Sequence, residues 1–265
     1  RSTTAAGDGA GTLEDPYTSL LIAAMNNNAG IDVINVTPRD DDSGTNLTVA
    51  GGLDLFDCQV LRSTTAAYTL DSIAGTDFII PAVPTGTNLG ALISNPTMAA
   101  GGSVVRLANE NTVIGMRIDA SNAGSTIFGT GITNTLPFTD ADIVSNTIFN
   151  YGPATAVNLI DGSGRIVFDD NTVTGIAGTS NNGLILSTAA GSSVELLVRN
   201  NNVNNSQFTD ATGATLNTAI TSTAVTGIGI TVNPGGTLQA DDPNAVMTSG
   251  PTGFLNNTVT NSGDG

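Results

Sequence analysis

Several chemically useful residues are missing from this chain. Its 265 residues include no His, no Trp and one Cys, and all seven basic residues are Arg. The lack of His excludes Ser-His-Asp and Cys-His nucleophilic sites and the usual zinc sites. The lack of Lys excludes Schiff-base chemistry and the Walker lysine. The one cysteine, Cys58, cannot form an internal disulfide, and its alternating surroundings predict a buried, small apolar residue in a strand.

Positive charge is also scarce. The formal net charge is −16 and the isoelectric point is about 4.1. Phosphate backbones and anionic membrane surfaces need a basic partner, so we expect neither nucleic-acid binding nor membrane-surface binding. No apolar run approaches the ~18 residues of a membrane-spanning helix, so no membrane insertion by this segment is expected. Cations, including Ca²⁺, remain suitable partners, and the charge also serves solubility.

The residues that are abundant favour strands and turns. Of the 23 acidic residues, 20 are Asp, which forms turns readily and helices poorly. Gly, Asn, Thr, Ser, Val and Ile take the place of the Lys and Glu that usually coat helices. An all-β protein with many short strands and tight turns is therefore predicted.

One short pattern recurs along the chain: an apolar run, an asparagine, a Thr or Asn, and a second apolar run. The spacings between successive copies are 35, 25, 30 and 56 residues, and the last is twice 28. A further apolar patch follows most copies, so each repeat of ~25–35 residues holds three short strands. The asparagines of the pattern are Asn111, Asn146, Asn171, Asn201 and Asn257.

Three short strands per repeat predict a right-handed parallel β-helix, in which each coil pairs with the coils above and below it. A β-propeller needs four strands per blade, and a β-sandwich does not need the same corner residue repeatedly. We predict a single domain over residues 1–265, with about eight or nine coils in 31–265 and loop insertions near 81–103 and 209–224.

The recurring asparagines are predicted to be structural rather than catalytic. A tight corner needs one residue outside the β region, and Asn tolerates the left-handed conformation well. Its amide can also bond the local backbone, and stacked asparagines can bond one another in a ladder. We therefore expect all five to occupy equivalent corners.

The N-terminal part differs from the repeats. Residues 7–20 read GDGAGTLEDPYTSL, and an amphipathic run and a first alternating strand, IDVINV, follow. This segment resembles the beginning of right-handed parallel β-helix proteins of the pectin-lyase-like superfamily, many of them on bacterial surfaces, including autotransporter passengers. The Asn-Thr-Val corners resemble the repeats of the same group. The resemblance covers most of the chain, and residues 1–30 are expected to form a helical cap over the first coil.

Enzymes of this superfamily imply further candidates. Its galacturonan hydrolases use a Gly-His-Gly motif and an Arg-x-Lys motif, which this chain lacks, and its lyases use acidic Ca²⁺ ligands with a basic residue. For such an enzyme, Arg165, Asp169 and Asp170 are the alternative candidates, because glycoside hydrolysis needs two carboxyls about 5–9.5 Å apart. Asp40 and Asp42 are candidate Ca²⁺ ligands, although no EF-hand spacing supports them.

Two functions follow as expectations. The first is a non-enzymatic structural or adhesive module of an exported bacterial surface protein or fibre. Its partner would be a cell-surface or matrix component, or another copy joined end to end. The alternative is a lyase or glycoside hydrolase acting on an acidic polysaccharide.

Overall fold

The computed structural model describes residues 33–37, 47–70, 78–82, 90–97, 102–121, 130–134, 137–151, 155–175, 183–204, 208–209, 215–216, 228–231, 237–240, 254–255 and 257–260. The predicted cap over residues 1–30 lies outside these ranges. Within them every regular element is a strand, and no helix suited to crossing a membrane is present.

The strands are short, as the turn-rich composition predicts. In chain order they are β1 Val33–Val36, β2 Leu47–Thr48, β3 Leu53–Asp54, β4 Val60–Ser63, β5 Tyr68–Leu70, β6 Phe78–Ile80, β7 Leu92–Ser94, β8 Ser103–Leu107, β9 Asn111–Ile114, β10 Arg117–Asp119, β11 Thr130–Asn134, β12 Phe138–Val144, β13 Thr147–Tyr151, β14 Val157–Asp169, β15 Thr172–Gly175, β16 Leu184–Thr188, β17 Ser193–Arg199, β18 Asn202–Asn204, β19 Phe208–Thr209, β20 Thr215–Leu216, β21 Ile228–Thr231, β22 Thr237–Ala240, β23 Phe254–Leu255 and β24 Thr258–Thr260.

The strands stack in parallel on three faces, which confirms the all-β parallel β-helix. The first face contains β1, β4, β9, β12, the C-terminal part of β14, β17, β22 and β23. The second face is a separate sheet of β2, β7, β10, β13, β15, β18 and β24. The third face contains β3, β8, β11, the N-terminal part of β14, β16 and β21. We call one circuit of third, first and second face a level.

The levels can be counted within the described residues. Within the described residues the first and second faces each extend over seven levels, with β22 and β23 sharing one level of the first face. The prediction of eight or nine coils applied to all of residues 31–265. Two antiparallel pairs, β5–β6 and β19–β20, lie outside the three faces.

The core lies between the three faces. Because side chains alternate along a strand, every second residue of each strand points inward. On the second face the inward residues stack in register and are fully buried: Ile93, Ile118, Ile148, Val173 and Val203. Burying one such side chain contributes about 1.5–3 kcal/mol. A single level cannot enclose these residues alone, so stacking supplies the stability.

The loop predicted over residues 81–103 is wrong in part. Leu92–Ser94 form β7, which pairs with β2 on one side and β10 on the other, and Ser103 begins β8. Ile93 is completely buried in the core. The strand is only three residues long and stands between Gly90 and Pro96, so the sequence shows no alternation of apolar and polar residues that would predict it. In the insertion predicted over 209–224, the described residues form part of the β19–β20 pair.

Candidate functional site

Four of the five recurring asparagines stand in one column, of which three are buried and Asn257 is half-buried. Asn146, Asn171 and Asn201 are each 1% exposed, and Asn257 lies above them. The column occupies the turn from the first face to the second face, which we call corner B. Each asparagine is therefore one level from the next, although the chain separation is 25, 30 or 56 residues.

The column repeats one bonding scheme. The Oδ1 atom of Asn171 accepts the backbone N–H of Asn146 at 3.0 Å and its Nδ2 at 3.1 Å. Asn201 and Asn257 accept the same two bonds from the asparagine below them. Each Nδ2 also donates to a main-chain carbonyl of the level below at 2.7–2.9 Å; the four carbonyls belong to Val113, Ile143, Phe168 and Val198. Buried amides fully paired in this way rigidify a core.

Asn111 does not belong to this column, so the prediction of five equivalent corners is wrong for it. Ala141, not Asn146, lies in register with Asn111. The column position at that level is Met116, whose N–H donates to Oδ1 of Asn146 at 2.9 Å. Asn111 instead occupies the turn from the third face to the first face, which we call corner A. Its Nδ2 donates to the carbonyls of Phe56 and Gln59 in the level below.

The left-handed residue at each corner is not the asparagine itself, which corrects a second expectation. At corner B positive φ angles occur one residue earlier, at Gly115 (67°), Ser145 (53°), Asp170 (54°) and Asn200 (56°). That residue turns the chain on the surface, so the following asparagine enters the interior with ordinary backbone geometry. The sequence analysis therefore placed the left-handed conformation one residue too far toward the C-terminus.

The alternative-enzyme candidates are not brought together. Asp169 accepts bonds from Nε of Arg199 at 2.9 Å and from Asn200 at 3.1 Å. Asp170 is exposed at corner B and accepts a bond from Ser145 at 3.0 Å. Arg165 lies four residues before Asp169 on the same strand, a separation of about 13 Å. Asp169 is neutralised by the level above, so these three residues do not form an acid–base pair around one bond.

Arg165 does line a shallow cleft of about 200 Å³ on the outside of corner A. Its guanidinium lies 3.1 Å from Oδ1 of Asp142. The full lining is Glu110, Asn111, Thr112, Asp140, Ala141, Asp142 and Arg165. Sequence reasoning missed Glu110 and Asp140. Both have positive φ at corner A. Each lies one residue before a pair in register, Asn111 and Ala141, so aligning those two positions would have found them.

No metal site is apparent where the structure can be read. Among the described residues no group of three or more His, Cys, Asp or Glu side chains could hold an ion. The candidate Ca²⁺ ligands Asp40 and Asp42 lie outside the described residues.

Cys58 differs from the buried strand residue that was expected. It is half-buried, sits at corner A with a φ of 63° and donates its thiol to Oε2 of Glu110 at 3.2 Å. The hydrogen bond to Glu110 raises the pKa of the Cys58 thiol, with smaller contributions from burial and from the Asp57 charge. A raised pKa leaves less thiolate at a given pH, so the thiol is a poor nucleophile.

We expect Glu110→Gln to make Cys58 react several times faster with iodoacetamide at mildly alkaline pH. The substitution removes both the anionic acceptor and the repulsion of the thiolate. Asp57→Asn is the matched control and should give a smaller acceleration, because Asp57 makes the smallest contribution. Labelling followed by mass spectrometry measures the rates. Equal rates in wild type and Glu110→Gln would contradict the assigned contact.

No protein-family model, no curated protein and no solved structure matches the chain.

Proposed function

We propose that this chain is a non-enzymatic structural or adhesive β-helix module of an exported bacterial surface protein or fibre. The type proposed is the right-handed, pectin-lyase-like β-helix, with autotransporter passengers as its nearest kind. The observation that carries the proposal is the use of the recurring polar residues. The asparagines of corner B bond other levels of the stack, so their repetition serves a scaffold rather than a reaction.

The outward charged side chains support the same proposal. Arg106 is paired with Asp54 on the third face, and Arg199 with Asp169 on the first face. Each pair joins neighbouring levels, since the partners are in register on adjacent strands. Cross-strand pairs of this kind support a sheet. A net charge of −16 on the whole chain also suits a partner at a cell surface or in a matrix better than a nucleic acid.

The cleft at corner A favours the alternative, a lyase or hydrolase acting on an acidic polysaccharide. It combines carboxylates with Arg165, and such enzymes use both groups. Its carboxylates would repel a polyanionic substrate, however, and only Arg165 among its lining residues is basic.

One paired experiment tests the proposal. Beads coated with the protein are assayed for attachment to cells and matrix proteins, and the soluble protein is incubated with pectate, alginate and hyaluronan. We expect attachment above that of beads coated with an unrelated acidic protein, and neither unsaturated products nor new reducing ends. Turnover that Arg165→Ala abolishes, while Arg106→Ala leaves it intact, would overturn the proposal in favour of the enzyme. Absence of both attachment and turnover would also count against it.

A further inference from the structure

Arg62 on β4 is a buried cation whose counterparts are neutral oxygens. The residue is 2% exposed. Its Nε donates to the carbonyl of Ala66 at 2.7 Å and its Nη1 to Oδ1 of Asn35 at 2.8 Å. Its Nη2 donates to the carbonyl of Pro81, with a longer contact of 3.5 Å to Ile80. No carboxylate among the described residues pairs with it, and burial lowers the pKa of the Arg62 guanidinium.

These bonds join three separate segments. Asn35 belongs to β1 in the level below, Ala66 follows the point where the chain leaves the solenoid, and Pro81 follows β6. Between Ala66 and Pro81 the chain forms the β5–β6 hairpin, with Tyr68 opposite Ile80. Arg62 thus holds the base of the hairpin against the first face. Hydrogen bonds from a charged donor are stronger than those between neutral groups.

The level that contains Arg62 is closed by hydrogen bonds that do not involve the hairpin. The N–H of Ala91, where the chain rejoins the second face, donates to Oγ of Ser63 at 3.0 Å. The carbonyl of Ala91 then accepts the N–H of Arg117 in the level above. Ser63 and Ala91 therefore join the two ends of the insertion to each other, and Arg62 takes no part in this contact.

We propose that Arg62 is a latch, a positioning residue that fixes the β5–β6 hairpin to the first face, and that the hairpin opens as a local unit when the latch is broken. The bonds from Arg62 to the carbonyls of Ala66 and Pro81 tie the base of the hairpin to the first face, so the hairpin opens more easily once these donors are lost. Local opening of a hairpin below the global unfolding free energy is ordinary behaviour for such an insertion.

Hydrogen exchange read by mass spectrometry tests the latch. In the wild type we expect peptides covering Tyr68–Leu70 and Phe78–Ile80 to exchange by local opening, faster than peptides covering β13 and β15. Arg62→Met, which keeps the volume and removes the donors, should accelerate hairpin exchange on the order of tenfold or more. Arg62→Lys should restore part of the protection, since it keeps the charge.

The matched control is Arg106→Met, which removes an exposed arginine from the third face and should leave hairpin exchange unchanged. Two results would overturn the proposal. One is unchanged hairpin exchange in Arg62→Met. The other is an equal acceleration of hydrogen exchange in the hairpin and in β13 and β15, either in the wild type under mild denaturant or in Arg62→Lys. The hairpin would then unfold only together with the whole domain.

Discussion

Asn171→Asp is expected to destabilise the protein by about 3–5 kcal/mol at neutral pH, the cost of a buried charge without a partner. The wild-type Nδ2 donates to the carbonyl of Ile143 at 2.8 Å and to Oδ1 of Asn201 at 3.0 Å. The substitution places a carboxylate oxygen against these two acceptors. Both donors are lost, and the site is 1% exposed, so water cannot replace them.

The pH dependence of this variant has a definite sign. Repulsion and burial raise the pKa of the new carboxyl in the folded state, so folding favours its protonated form. The deficit relative to wild type should therefore shrink as the pH falls. Urea denaturation of both proteins at neutral and acidic pH measures this difference in the free energy of unfolding.

Asn202→Asp provides the matched control. Asn202 is the exposed neighbour of Asn201 on β18, and the same change there should alter the stability by no more than about 0.5 kcal/mol. If the two variants lost equal stability, the hydrogen bonds of the buried column would not be what stabilises the stack.

Gly90→Ala is expected to cost about 2–3 kcal/mol, because no space exists for a methyl group. A Cβ at Gly90 would lie 2.1 Å from the carbonyl oxygen of Gly115. That oxygen belongs to the backbone of corner B, so it cannot move like the end of a flexible side chain. The chain segment before β7 would have to shift away from the level above it.

Gly191→Ala separates this clash from the usual cost of replacing glycine. Gly191 has a φ of +72° and no atom within 4 Å of an added Cβ, so only the left-handed backbone is strained. That strain costs about 1–2 kcal/mol. Thermal denaturation of both variants gives the comparison, and a smaller loss for Gly90→Ala than for Gly191→Ala would contradict the close approach.

The sequence predicted the parallel β-helix because the fold imposes a local requirement at every level. Each amide at corner B needs a neighbour at the same position one level away, so asparagine recurs there, and the inward strand residues must be apolar. The residues before and after Asn146, Asn171 and Asn201 carry that pattern plainly. The three-strand repeat could therefore be found without any match to a known protein.

Other features depend on contacts that a one-dimensional pattern does not contain. The Asn-Thr-Val run at Asn111 looks like the others, yet Asn111 occupies corner A, and only the pairing of Asn111 with Ala141 reveals the difference. Strand β7 is too short to show alternation. The cleft joins Glu110, Asp142 and Arg165 from three levels, and their proximity follows from register alone.

A disulfide-trapping experiment tests the stacked levels most directly. In a Cys58→Ser background, Thr172 and Asn202 are replaced by cysteine; both are exposed and in register on adjacent strands of the second face. Neighbouring strands lie about 4.8 Å apart, within the range that a disulfide spans. A control variant places the cysteines at Thr172 and Glu195, an exposed residue on another face. We expect rapid oxidation of the first pair and none of the second. Failure of the first pair to oxidise, or equal oxidation of both, would contradict the stacking of the levels.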